Sequence, residues 1–173
     1  EDPDRNKHFK KFELSRDQYI ELANMCQENG VFFTASVWNE EALNWIDEFI
    51  PIYKIGSGDL TAYPLLKKIA KLSKPIIIST GMASLEEIEL AYNQAKKYGS
   101  KDITLLYCVS NYPSSIKDFN IFNIQVLKKK FKCRIGLSDH SFPDNNMIVL
   151  TTAYMLGARV IEKHFSDVKG TKG

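Results

Sequence analysis

Six short apolar runs punctuate this chain, opening at Phe32, Tyr53, Ile76, Ile103, Ile135 and Val160, and a stretch with helical spacing separates each from the next. The interval between openings runs from 21 residues (Phe32 to Tyr53) to 32 (Ile103 to Ile135), room for a strand, a helix and two short connections. Few folds accept such a repeat. Parallel strands need crossovers long enough to hold a helix, so the pattern predicts a parallel sheet of βα units. A doubly wound sheet and a (β/α)8 barrel both satisfy it, and periodicity does not choose between them. In either, ligands bind beyond the carboxyl ends of the strands.

The helical stretches carry their own start and stop signals. Ser15-Arg16-Asp17-Gln18 and Ser84-Leu85-Glu86-Glu87 read as capping boxes, and Gly30 ends a first helix of about 14 residues. Asn39 caps a second helix with Ala42, Leu43, Trp45, Ile46 and Phe49 on its inner face. Pro64 suits the first turn of a third, Ile121, Ile124, Val126 and Leu127 mark another, and the last is expected from Asn145 to Leu156. Residues 1–14 read as a loop or frayed end, and residues 15–173 as one domain.

Composition narrows the function. Lys plus Arg exceeds Asp plus Glu by only two (23 against 21), and the basic residues are scattered near helix ends, where the helix dipole favours them. Neither a nucleic-acid nor a membrane partner is expected. Cys26, Cys108 and Cys133 are odd in number and lack paired spacing, the mark of reduced thiols, and Glu1-Asp2-Pro3-Asp4-Arg5 is too charged to open a signal peptide. A cytoplasmic location follows as the expectation.

The strand ends carry the chemistry. In order they bear Ser36; Lys54 with Ser57; Ser79 with Thr80; Ser110 with Tyr112; Ser138 with His140; and His164. Hydroxyls, one ammonium and the turns Gly56-Ser57-Gly58 and Ser79-Thr80-Gly81, which expose backbone N–H groups, are what a phosphate or carboxylate requires. Any one of them also serves as an ordinary βα cap, but four consecutive strand ends bearing them point to an anion pocket. Lys54 lies within an apolar run, where an unpaired ammonium is costly. It must therefore meet an anion: a ligand, or a structural partner such as Asp59 or Glu162. Gly136-Leu137-Ser138-Asp139-His140 and Val160-Ile161-Glu162-Lys163-His164-Phe165 each place a histidine at a strand end. On neighbouring strands the two imidazoles would form half of a metal site with open positions, as catalytic sites have. Cys108 reads as a small buried apolar residue rather than a third ligand.

Five blocks occur together and in order: Tyr53-Lys54-Ile55-Gly56-Ser57-Gly58-Asp59-Leu60, Ile78-Ser79-Thr80-Gly81-Met82-Ala83, Cys108-Val109-Ser110-Asn111-Tyr112-Pro113, Gly136-Leu137-Ser138-Asp139-His140 and Ile161-Glu162-Lys163-His164-Phe165. With this spacing the chain resembles the N-acetylneuraminate (sialic acid) synthase family, including its legionaminate, pseudaminate and spore-coat polysaccharide relatives. The resemblance implies a (β/α)8 barrel that condenses phosphoenolpyruvate with an N-acylated amino sugar, forming a nonulosonic acid and releasing phosphate. It implies that Lys54, Ser57, Ser79, Ser110 and Ser138 hold the phosphate and that His140 and His164 hold a divalent ion. That ion would be manganese first, with magnesium or cobalt as alternatives. Tyr112 would lie beside the acceptor sugar, completing a catalytic set with His140 and His164.

Asp59 stands where many members of that family have glutamate, Ser110 where some have asparagine, and Ser36 where threonine is usual. The resemblance further implies that the six runs are about strands three to eight of the barrel. The first two strands and a C-terminal antifreeze-like domain would be missing, this chain alone would be inactive, and the full-length protein would be a homodimer. Two other readings stay open: a different phosphoenolpyruvate-dependent aldol synthase, and a non-catalytic anion-binding barrel.

Overall fold

The computed structural model describes Lys7 and residues 10–166. Residues 1–6, 8 and 9 of the expected end segment therefore lie outside the described residues. Within the described residues the helices are α1 (Arg16–Glu28), α2 (Glu40–Ile46), α3 (Tyr63–Lys71), α4 (Leu85–Lys97), α5 (Asn123–Phe131) and α6 (Ile148–Met155). The strands are β1 (Tyr53–Ile55), β2 (Ile76–Ser79), β3 (Ile103–Cys108), β4 (Arg134–Asp139) and β5 (Val160–Lys163). None of the described helices is long and apolar enough to cross a membrane.

The five strands form one sheet in the order β1-β2-β3-β4-β5, every pair parallel. Doubly wound sheets reverse their strand order at a switch point. This one never does, so each strand is laid beside its predecessor in the manner of a barrel wall. In a flat sheet the first and fifth strands would stand about 19 Å apart, four spacings of about 4.8 Å. Yet Lys54 of β1 and Glu162 of β5 touch, with Nζ and Oε2 at 3.3 Å. The sheet is therefore curled into a half-barrel whose concave face brings its two outer strands together.

Register sorts the side chains between two faces, because neighbours in a strand point to opposite sides. Tyr53, Ile55, Ile76, Ile78, Ile103, Leu105, Tyr107, Ile135 and Leu137 share the outer face and pack in one core with Leu66 and Ile69 of α3, Ile88 and Ala91 of α4, and Ile124 and Leu127 of α5. Each such buried aliphatic side chain contributes roughly 1.5–3 kcal/mol. Lys54, Ser79, Cys108, Ser138 and Glu162 share the other, concave face. Gly136 also lies there: a Cβ on it would sit 2.2 Å from the Val160 carbonyl and 2.5 Å from Leu106. Only glycine lets β4 and β5 pair that closely.

Local signals built the helices largely as expected. Ser15 accepts the Gln18 N–H while Gln18 accepts the Ser15 N–H, and Ser84 and Glu87 do the same at α4. Asn39 accepts from the Ala42 N–H at 2.7 Å. Helix α6 begins later than its expected start at Asn145, because the Asp144 carboxylate accepts the N–H groups of Asn146 and Ile148 and Met147 turns left-handed at φ 47°.

The sixth expected strand, Val31-Phe32-Phe33-Thr34-Ala35-Ser36, is a correction. It lies alongside β1 with a single parallel bridge, Ser36 to Lys54, and one hydroxyl bond from Thr34 to the Ile52 carbonyl. Phe32 is 80% exposed and Val31 56%. Phe33 and Ala35 pack against the core, but a run whose other apolar side chains stand in water gains too little to order a full ladder.

Candidate active site

The concave face collects the polar residues of the strand ends. Lys54 Nζ donates to Ser79 Oγ at 2.9 Å and to the Ile55 carbonyl at 3.3 Å, and pairs with Glu162. Ser138 Oγ donates to the other Glu162 oxygen at 2.6 Å. One carboxylate thus bridges two of the expected phosphate-holding residues, and a third is bonded to the same lysine. Asp59, the other partner considered for Lys54, instead accepts from Trp38 Nε1 at 3.1 Å.

The remaining two hydroxyls gather around Gly81. Its N–H donates to Ser57 Oγ at 3.0 Å. A Cβ there would fall 2.1 Å from Ser110 Oγ, 2.9 Å from Ser57 Oγ and 3.0 Å from Cys108 Sγ. The space a side chain would fill is the space between the hydroxyls, so the turn after β2 admits glycine and leaves a cradle.

Cys108 links the cradle to the histidines, with Sγ 3.7 Å from Ser110 Oγ and 3.9 Å from His140 Nδ1. That nitrogen also lies 2.9 Å from the Val109 carbonyl. A carbonyl only accepts, so Nδ1 carries the proton, and in the neutral ring Nε2 keeps its lone pair. Such an orienting bond on the far nitrogen is typical of metal-binding histidines. Cys108 lies on the protonated side, away from the free lone pair. The His140 and His164 rings stand 5.3 Å apart between centroids at 82°. Tyr112 covers both, 4.0 Å from His140 and 5.5 Å from His164.

Register explains the convergence: Ser138 faces Glu162 across the β4–β5 pair, and each histidine stands two residues further on, just past the end of its strand. Burial pushes the Tyr112 phenol up, reinforced by Cys108 and the Glu162 carboxylate, so it stays protonated at neutral pH. Among the described residues no three His, Cys, Asp or Glu side chains form a metal cluster. The donor set is two imidazoles, which fits a divalent cation that takes its other ligands from water or substrate oxygens. A cavity of about 310 Å³ bordered by Thr80, Met82, Leu85, Tyr107, Cys108 and Val126 opens between α4 and α5 instead, and none of the residues expected to hold phosphate or metal lines it.

All five expected phosphate residues and all three of the expected catalytic set thus fall on one face. Sequence reasoning weighed Glu162 only as a structural partner for Lys54, and did not foresee that it also joins Ser138. Its signal was its position two residues before His164.

Comparison with known proteins bears on the fold and the family. The chain is 40% identical over 168 residues to N-acetylneuraminate-9-phosphate synthase of Drosophila melanogaster, covering 96% of this chain and 44% of that protein. It is 41% identical over 166 residues to N,N'-diacetyllegionaminic acid synthase of Campylobacter jejuni, covering 94% and 49%. The crystal structure of N-acetylneuraminic acid (sialic acid) synthetase from Leptospira borgpetersenii superposes with a TM-score of 0.83 at 35% identity, covering 89% of this chain and 53% of that one. The chain spans about half the length of these relatives. A family model described as the NeuB family matches residues 1–173, and the chain belongs to that family.

Proposed function

We propose that the whole protein condenses phosphoenolpyruvate with an N-acylated amino sugar of the N-acetylmannosamine type. The observation that carries this reading is the continuity of the concave face, where an ammonium and four hydroxyls adjoin two imidazoles. The relatives named above, synthases of sialic and legionaminic acids, support it.

The phosphate of phosphoenolpyruvate binds among Lys54, Ser57, Ser79, Ser110 and Ser138, whose donors replace its water shell. Glu162 must yield Lys54 and Ser138 as the anion enters. The enol carbon adds to the sugar aldehyde carbon, water adds to C2, and phosphate leaves, so atoms and charge balance. The residues hold the reacting carbons against each other, replacing a chance encounter with a pre-oriented one. His140 and His164 would hold a divalent cation, manganese first, which when bound would supply Lewis-acid polarisation of the aldehyde oxygen. Tyr112 keeps its proton beside both rings and flanks the acceptor.

In this reading the run 31–36 and the five described strands take about positions three to eight of a (β/α)8 barrel, closed by further chain. An antifreeze-like domain and a homodimer complete the site, and residues 1–173 alone turn over no phosphoenolpyruvate. The protein works in the cytoplasm. The test is phosphate release by the whole protein with a panel of amino sugars. His140→Ala and His164→Ala should each abolish metal-dependent release; wild-type rates in both would refute the assignment.

A further inference from the structure

The chemistry above leaves one buried charge unused. Asp139, the last residue of β4, is 1% exposed and lies on the outer face of the sheet, opposite the concave site. Lys163 of β5, its register partner, donates to Asp139 Oδ2 at 2.5 Å. The same ammonium donates to the Ser141 carbonyl at 2.8 Å, and the Ser141 N–H donates to Asp139 Oδ1 at 2.9 Å. These three bonds close a ring around the backbone of His140, because its partners are the residues immediately before and after it. The lysine in turn precedes His164. From the other side, the Ser114 N–H donates to the His140 carbonyl at 2.9 Å.

A buried ion pair is a poor device for stability alone, since well-packed apolar residues of similar volume do as well or better. What it supplies is geometry. Here it ties the ends of two strands at the point where each presents an imidazole.

We propose that Asp139, Lys163 and Ser141 form a positioning lock that sets the spacing of the His140 and His164 rings from behind the sheet. The lock residues touch neither substrate nor cation; they act through the backbone that carries the ligands. The inference rests on the reading that these two imidazoles hold a divalent cation.

The test uses the whole protein, with Mn2+ alone and phosphoenolpyruvate alone as probes in calorimetric titrations, and near-UV circular dichroism to certify the fold. Lys163→Met should weaken Mn2+ binding by about 10- to 100-fold while phosphoenolpyruvate binding without metal is unchanged, and Lys163→Arg should recover most of the loss. If Lys163→Met does not fold, Asp139→Asn, of nearly the same shape, should show the same selective weakening to a smaller degree. Wild-type Mn2+ affinity in the folded variant, or an equal loss of both ligands, would overturn the lock. A His140→Ala/His164→Ala double variant separates the two ideas. If it binds Mn2+ as wild type does, the cation reading has failed; if it loses Mn2+ and the folded lock variant does not, only the lock has failed.

Discussion

The two rims of the sheet both carry ion pairs, but the pairs do different things. At the amino end, Lys74 pairs with Asp47 at 2.7 Å and Arg134 with Asp102 at 3.1 Å, each joining segments that lead into adjacent strands. Tyr53 adds its hydroxyl to Asp47 at 2.7 Å, so that carboxylate is committed to the fold. At the carboxyl end, Lys54 and Glu162 reach across the concave face from the first and last described strands, bonded there to the Ser79 and Ser138 hydroxyls. The same residue types thus only staple adjacent strands at the amino rim, whereas at the other Lys54 and Glu162 converge across the concave face, beside the Asp139–Lys163 staple. Charge pairing alone does not mark a site; its span and the company it keeps do.

Substitutions can sharpen that contrast. The largest effect is expected from Lys54→Met, which removes the cradle's ammonium and leaves Glu162 without its cation. The KM for phosphoenolpyruvate in the whole protein should rise roughly 10- to 100-fold, as for loss of a hydrogen bond to a charged group. An unchanged KM would reduce Lys54 to a staple like Lys74.

Gly81→Ala comes next. Its methyl would occupy the gap between Ser57, Ser110 and Cys108 and turn the hydroxyls aside. Phosphoenolpyruvate affinity should fall about tenfold and stability by about 1–3 kcal/mol, measured by titration and by thermal melting. Stability loss without affinity loss would mean that the cradle is only packing.

The smallest effect belongs to the amino rim. Burial alone would raise the Asp47 carboxyl, but hydrogen bonds from Lys74 and Tyr53, with the Lys74 charge, outweigh it and hold the group below its ordinary value of 3.8. Because the folded value is depressed, this stabilisation is complete above pH 3.8 and is lost as pH falls through the folded value. Asp47→Asn should cost about 0.5–1 kcal/mol at pH 7, leave ligand affinity unchanged, and converge with wild type in strong acid. A penalty that persists there would assign the effect to packing.

Much of this was legible in the residues. Ser15 with Gln18 and Ser84 with Glu87 announced helix starts because capping is local, and the period of the apolar runs announced parallel strands. Val31 to Ser36 misled because an apolar run does not say which of its side chains will be covered. The choice between Asp59 and Glu162 for Lys54 was closed to the sequence, since it depends on how far the sheet curls between β1 and β5. Met147 hid the start of α6, because a left-handed methionine after a side-chain cap has no signature in one chain.

The central claim is that His140 and His164 share one cation beside the hydroxyl cradle. Pulsed electron paramagnetic resonance of the whole protein loaded with Mn2+ tests it at the atoms concerned. The account predicts modulation from two imidazole nitrogens, reduced to one in His140→Ala and in His164→Ala. A spectrum without imidazole nitrogen, or one unchanged in either variant, would contradict it.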